Sequence, residues 1–223
     1  MNPLEKEYNE KDDAYYAHQR HEMLRYIPAG TRAVLDVGCS SGAFGILVKE
    51  KFGCEVWGIE PDKQSAENAN KLLDKVYNSF FDNQIDFGDK TFDCIIFNDV
   101  LEHLVNPFEA LELCKRYLNK DGVLVASIPN IRFFDAIYHI VIQGDFMYTG
   151  AGIFDKTHLR FFTRKSMIRM FTDAGYKIYS VDGINSIKEL NYKGYKNFKF
   201  INTLLFGKIA DMEYLQFAIS AKL

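Results

Sequence analysis

Arg32-Ala33-Val34-Leu35-Asp36-Val37-Gly38-Cys39-Ser40-Ser41-Gly42 is the stretch that decides the fold. A run of strand character ends in a turn with glycine at both of its edges. A helical pattern with Phe44, Leu47 and Val48 on one face begins at once. Glycines in such a turn let the backbone approach a ligand closely, and the helix start points its N–H groups at it. The unit then repeats. Gly53 sits where a helix would close, and Cys54–Ile59 reads as the second strand. Glu60-Pro61-Asp62 opens a helix expected to run to about Leu73, with Asp62 as its N-cap. Val76–Phe80 reads as a third strand. Phe92–Asn98 (FDCIIFN) is nearly continuously apolar, as a central parallel strand buried on both faces should be. Pro107 falls in the first turn of the next helix, and Asp121-Gly122 turns into a fifth strand, Val123–Ile128. The alternation predicts an α/β fold with a doubly wound, mostly parallel sheet.

Beyond the fifth strand the rhythm breaks. The interval from Pro129 to Phe162 is long for a loop and rich in aromatics, which predicts a lid or binding element. Thr163 is placed to cap a helix ending near Ala174-Gly175, and Tyr176–Val181 and Tyr214–Lys222 read as the last strands. Between them Lys188–Lys208 is basic and aromatic. The expected organisation is one domain over 1–223, with an N-terminal helical cap (1–30), a lid (129–162) and an insertion (184–210). Composition agrees with a globular chain: 223 residues, 48% hydrophobic, 26% charged, 15 Gly and 5 Pro. A net charge of −3 gives no bulk attraction to nucleic acid. No apolar run approaches the roughly 18 residues of a membrane span, and the charged first 25 residues do not read as a signal peptide. Cys39, Cys54, Cys94 and Cys114 show no C-x-x-C pair, so buried reduced thiols and a cytoplasmic location are expected, with no metal site.

Three chemistries share a glycine turn between strand and helix. A dinucleotide site wants G-x-G-x-x-G, and its second glycine would be Ser40. A serine hydrolase elbow wants G-x-S-x-G, which Gly38–Gly42 matches with Ser40 central. That elbow draws its oxyanion hole from an earlier strand, and only a charged segment precedes this one. The third reading is D-x-G-x-x-x-G, and here Asp36–Gly42 resembles the first motif of class I S-adenosylmethionine-dependent methyltransferases, with Ser40 where the family often has glycine. Glu60 follows 24 residues after Asp36, at the end of the second strand. An acid there can accept both ribose hydroxyls; a helix-capping acid is the other reading, and both stay open. The resemblance continues through Phe92–Ile96, Asn98–Leu104 and Tyr117–Val123. It also takes in Gly152–Thr163, which is similar to the D-x-T-H-L-R-F-F-T signature of a bacterial small-molecule subgroup near the ubiquinone-biosynthesis O-methyltransferases. It covers roughly Tyr15 to Val181.

The resemblance implies a Rossmann-like sheet of about seven strands with an antiparallel last strand. It implies S-adenosyl-L-methionine as cofactor, S-adenosyl-L-homocysteine as product, and a small-molecule acceptor, most simply a hydroxyl on a sugar, phenol or secondary metabolite. Cofactor contacts are expected from Asp36, Gly38, Ser40 and Gly42, from Glu60, Pro61 and Asp62, from Phe81, Asp82 and Asn83, and from Asn98 and Asp99. Tyr16, with Tyr15, is placed to reach the methionyl carboxylate or else to pack the cap. A hydroxyl acceptor needs a base, and a histidine near neutral pKa suits it. His158, in the lid, is expected near the acceptor with Asp155 beside it, and His103 near the cofactor; Asp155 is the non-histidine candidate. The lid phenylalanines (Phe133, Phe134, Phe146, Phe154, Phe161 and Phe162) are expected to exclude water. A membrane partner is not expected, and the chain is expected as monomer or homodimer. An RNA methyltransferase, drawing on Lys188–Lys208, and a non-catalytic cofactor-binding protein are the alternatives.

Overall fold

Each apolar run of the sequence finds a strand partner, and together they make one sheet. The computed structural model describes residues 20–192 and 195–223. Its strands are β1 (Ala33–Val37), β2 (Glu55–Ile59), β3 (Lys75–Tyr77), β4 (Phe92–Asn98), β5 (Leu118–Pro129), β6 (Lys177–Ser186) and β7 (Tyr214–Lys222). They lie in the order β3-β2-β1-β4-β5-β7-β6. β1 is parallel to both neighbours, with Asp36 level with Gly58 on one side and Ile96 on the other. β7 runs antiparallel to β5 and β6. The chain leaves β1 toward β2 and β3 and then crosses back to β4. Strand order therefore reverses between β1 and β4, where a crevice opens beyond the carboxyl ends.

The apolar alternation of β4 explains the two-layered core. Ile95 and Phe97 join the cluster built with α3 (Pro107–Tyr117) and α5 (Arg164–Asp173). Cys94 and Ile96 join the opposite cluster, with α1 (Ala43–Phe52) and the short α2 (Lys63–Ala69). Both faces are covered, as continuous apolar strands require. The capping residues act as their types predict. Asp62 accepts the Ser65 N–H at 2.7 Å, Thr163 and Ser166 form a reciprocal capping box, and Gly53 closes α1 at φ +62°. All four cysteines are buried free thiols.

Local patterning misjudged some lengths. α2 stops at Ala69 instead of about Leu73, because Leu73 turns into the core and Asp74 accepts the Val56 N–H at 2.8 Å, re-entering the sheet. β3 ends at Tyr77, short of Phe80, where the Asn78 amide donates to the Glu60 and Pro61 carbonyls. β5 begins earlier and β6 ends later than expected, since Leu118 pairs with Phe92 and Ser186 with Tyr214. The interval after β5 is tied at its ends, with Ile131 N–H donating to the Phe162 carbonyl. It carries α4 (Phe134–Ile137), which continues as a wider π turn to Gln143. The insertion before β7 forms α6 (Tyr195–Leu204), and Phe198 of α6 stacks edge-on against Phe134 of α4. No helix among the described residues is long and apolar enough to cross a membrane.

Candidate functional site

The turn after β1 is built around residues in the left-handed region: Gly38 (φ +72°), Ser40 (φ +50°) and Gly42 (φ +85°). At Gly38 a Cβ would lie 2.5 Å from the Val100 side chain, so no larger residue fits. Ser40 occupies the left-handed position where the motif often has glycine; such a backbone costs a non-glycine residue roughly 1–2 kcal/mol. The turn is moored to β2, because the Gly38 and Cys39 N–H groups donate to the Ile59 carbonyl at 2.8 and 3.0 Å.

Glu60, buried at the end of β2, holds this arrangement together. Its Oε2 accepts the Ser40 N–H at 2.9 Å and its Oε1 accepts the Asp62 N–H at 2.8 Å. The capping geometry considered for Glu60 is thus real, and each oxygen keeps a further lone pair. Asp36 is also buried, and its Oδ2 has no hydrogen-bond partner among the described residues. Burial pushes both carboxyls up to about 7, with the Glu60 charge adding to the effect at Asp36.

These groups open onto a cavity of about 1230 Å³ at the crevice. Of the residues expected at the cofactor, Asp36, Gly38, Ser40, Glu60, Pro61, Asp62, Phe81, Asn98 and Asp99 line it. Gly42 is the N-cap of α1, and Asp82 and Asn83 are exposed beyond the wall, Asp82 accepting the Gln84 N–H. Tyr15 and Tyr16 lie outside the described residues. Both amide atoms of Asn98 are buried without a hydrogen-bond partner among the described residues. Asp99, at φ +56°, is instead heavily engaged: Gln216 Nε2 donates to its Oδ1 at 2.7 Å, Ser127 Oγ donates at 3.2 Å, and Arg20 Nη1 donates to its Oδ2.

Arg20 is a functional candidate that the sequence reading missed. It is buried on the cavity wall, its Nε donates to Glu22 at 2.8 Å, and its Nη2 has no hydrogen-bond partner among the described residues. A lone arginine in a charged stretch carries no local signal; its anchor Asp99 is 79 residues away.

The two histidines expected in different places come together. Their rings are 4.6 Å apart, edge to face, on the cavity wall. His103 Nδ1 lies 3.1 Å from both Thr157 oxygens, and His158 Nδ1 lies 3.0 Å from the Ile153 carbonyl. His158 Nε2 is 3.8 Å from Oε1 of Glu102, a buried carboxylate the sequence reading gave no role. Asp155 begins the turn that carries His158, with the His158 N–H on the Asp155 carbonyl. The Asp155 carboxylate is buried off the cavity wall, however, and accepts from the Thr157 N–H at 2.8 Å and the Thr157 hydroxyl at 2.6 Å. The lid phenylalanines do not line the cavity either: Phe133 and Phe134 pack in the cluster with α6, and Phe146 and Phe161 are partly exposed. The apolar wall is made by Leu104, Pro129, Ile153, Leu159, Leu190 and Leu215.

A glycine-edged turn, an acid ending β2 and a deep crevice at the reversal point are shared by several cofactor folds. The match to a known family decides among them: residues 8–181 fit the methyltransferase domain model. The chain belongs to the methyltransferase domain family. S-adenosylmethionine is its cofactor, and the dinucleotide and serine-hydrolase readings of the Ser40 turn fall away. Among similar proteins, an uncharacterized protein of Methanocaldococcus jannaschii is 27% identical over 169 residues, spanning 75% of each chain. The ubiquinone biosynthesis O-methyltransferase of Actinobacillus pleuropneumoniae is 29% identical over 126 residues, about half of each chain at 52% and 53%. A SAM-dependent methyltransferase structure from Archaeoglobus fulgidus superposes with a TM-score of 0.68 at 20% identity, covering 99% of this chain and 98% of that one. The plantazolicin methyltransferase, solved with S-adenosylhomocysteine, superposes with a TM-score of 0.63 at 17% identity over 98% and 94%. The residues of this methyltransferase fit the cofactor: the turn admits close backbone approach at Gly38, and buried polar atoms of Asp36, Asn98 and Arg20 face one cavity without other hydrogen-bond partners among the described residues.

Proposed function

We propose that this methyltransferase methylates a hydroxyl of a small, largely apolar acceptor, with the His103–His158 pair supplying the base. The observation that carries the reading is the placing of this pair on the same cavity wall as the Glu60 and Asn98 ends of the cradle, beside an apolar surface. When bound, the cofactor supplies an electrophilic methyl group for in-line displacement. The protein's part is then to orient, to exclude water and to remove a proton; orientation alone is worth up to about 7–11 kcal/mol.

Roles follow from the geometry. Glu60 accepts the ribose hydroxyls with the lone pairs its backbone contacts leave open, and Phe81 borders the adenine side. Arg20, held by Asp99, takes the methionyl carboxylate with Nη2, and Asn98 bonds the same end. His158 is the base, and the Glu102 carboxylate near its Nε2 favours the imidazolium formed when it takes the proton. His103 packs against it and joins it, through Thr157, to the lid.

The cavity exceeds the roughly 300–1,000 Å³ of an ordinary ligand pocket and so has room for a small acceptor beside a cofactor. Curated relatives support a small-molecule acceptor: besides the ubiquinone enzymes, a tetrahydroprotoberberine N-methyltransferase of Eschscholzia californica is 27% identical over 125 residues. The test is isothermal titration with S-adenosylhomocysteine, followed by transfer of labelled methyl to a panel of phenols, sugars and amines. Binding with a methylated phenol supports the reading, and methylation of sugars alone overturns the apolar acceptor. Absence of binding at millimolar product overturns it, and methylation of amines alone overturns the hydroxyl.

A further inference from the structure

We propose that the outer face of α6 and the adjoining lid helix docks on an anionic lipid bilayer. The inner face of α6 is already used, since Phe198 is buried against Phe134. Its outer face and the loop that follows leave large apolar side chains in solvent: Phe206 is 92% exposed, Phe200 66% and Leu204 61%. On the lid, at the end of the helix that α6 packs against, Ile142 is 69% exposed and Val141 65%. Apolar groups concentrated in this way on two packed elements mark an interaction surface more than chance exposure.

Charge selects the partner. Residues 195–210 contain Lys196, Lys199 and Lys208 and no acidic residue, in a chain whose net charge is −3. On α6, Lys196 and Lys199 lie along one side of the arc formed by Phe200 and Leu204, so apolar groups enter the headgroup boundary while the lysines beside them meet anionic lipid. A second copy of the chain fits less well, because a twofold contact through this face would set lysines against lysines. Single-stranded RNA fits less well too, because Val141, Ile142 and Leu204 offer bases nothing to stack on. The exclusion of a membrane span does not bear on this, since surface binding needs no spanning helix.

The experiment is co-sedimentation of the full chain with vesicles of phosphatidylcholine alone and with about one-third phosphatidylglycerol. Binding is expected to the anionic vesicles at low salt, with little to phosphatidylcholine. Lys196→Gln and Lys199→Gln should each weaken it about fivefold. Leu204→Ser with Phe206→Ser should weaken it about tenfold or more. S-adenosylhomocysteine affinity should be unchanged in every variant, which shows that each has folded and separates this test from that of the methyl-transfer reading. Failure to sediment with anionic vesicles overturns the proposal, as does equal sedimentation of the wild type and the serine variant. A concentration-dependent dimer lost in Phe206→Ser, or displacement from vesicles by single-stranded RNA, assigns the face to those partners instead.

Discussion

Glu60 is asked to do two things, and substitution can separate them. Its carboxylate joins the glycine turn to the start of α2 by accepting the Ser40 and Asp62 N–H groups, and in the proposed complex it also accepts the ribose hydroxyls. Glu60→Ala removes both backbone acceptors; bonds to a charged group are worth about 1.5–3 kcal/mol each. Against this, burial has pushed the carboxyl from an ordinary 4.5 to about 7, so removing it relieves a penalty of roughly 3 kcal/mol on the ionised form. The net destabilisation is then about 0–3 kcal/mol, a fall in Tm of at most roughly 12 °C for a chain of this size. Glu60→Gln is the discriminating variant. Its carbonyl still accepts one N–H, its amide carries no buried charge, and the fold should melt within a few degrees of wild type. It cannot accept both ribose hydroxyls as well, so S-adenosylhomocysteine affinity should fall at least about tenfold, the equivalent of one lost charged hydrogen bond. Thermal melts and isothermal titration on both variants measure the two effects. A Glu60→Gln protein with wild-type affinity would refute the ribose role and leave Glu60 as a clamp of the turn alone.

Further outcomes follow from the same geometry. His158→Ala should cut kcat by about 10²–10⁴ with S-adenosylhomocysteine affinity nearly unchanged, and His103→Ala, which frees the lid contact at Thr157, should cost less in kcat and more in binding; if His158→Ala retains most of its turnover, the residue is only a pin of the lid. Arg20→Ala should weaken S-adenosylhomocysteine by about 10–100-fold, one charge-assisted contact of 1.5–3 kcal/mol, and leave 5′-methylthioadenosine, which lacks the carboxylate, almost unaffected; equal loss for both ligands would show that Arg20 serves the fold instead. Asp36 and Glu60 hold their protons to about 7, whereas unfolded carboxyls release theirs near about 4. Between those values the native state keeps protons the unfolded chain has lost, so this pair makes stability fall as pH rises from about 4 to 7, with no further loss above. Denaturant melts of Asp36→Asn across that range should show a flatter fall than wild type; an identical profile would remove Asp36 from the account.

What the sequence made legible is what local physics decides. The β4 run reads as doubly buried because its neighbours along the chain alternate between two covered faces, and Cys94 and Ile95 part as that pattern requires. The turn after β1 reads correctly despite Ser40, since its glycines at 38 and 42 already fix where the backbone must reverse. Element ends were less legible, because they answer to distant partners: α2 yields at Ala69 to Asp74 bonding across to Val56. The site shows the same division more sharply. Asp36, Glu60 and Asn98 are found by position at strand ends, and all three reach the cavity. Arg20 and Glu102 have no such address. Their meaning comes from Asp99, 79 residues from Arg20, and from His158, which the lid brings back onto the turn after β4 by bonding the Leu159 and Arg160 N–H groups to the Glu102 carbonyl at 2.9 and 3.0 Å. That docking also brings His103, expected near the cofactor, into contact with His158, expected near the acceptor. A lid tied to the strand end cannot keep the two apart, and once they touch, substituting one must change the surroundings of the other. A double substitution should therefore cost less than the two single losses combined, and kcat for the His103→Ala, His158→Ala pair measures it; strict additivity would mean that the two rings act independently despite their contact.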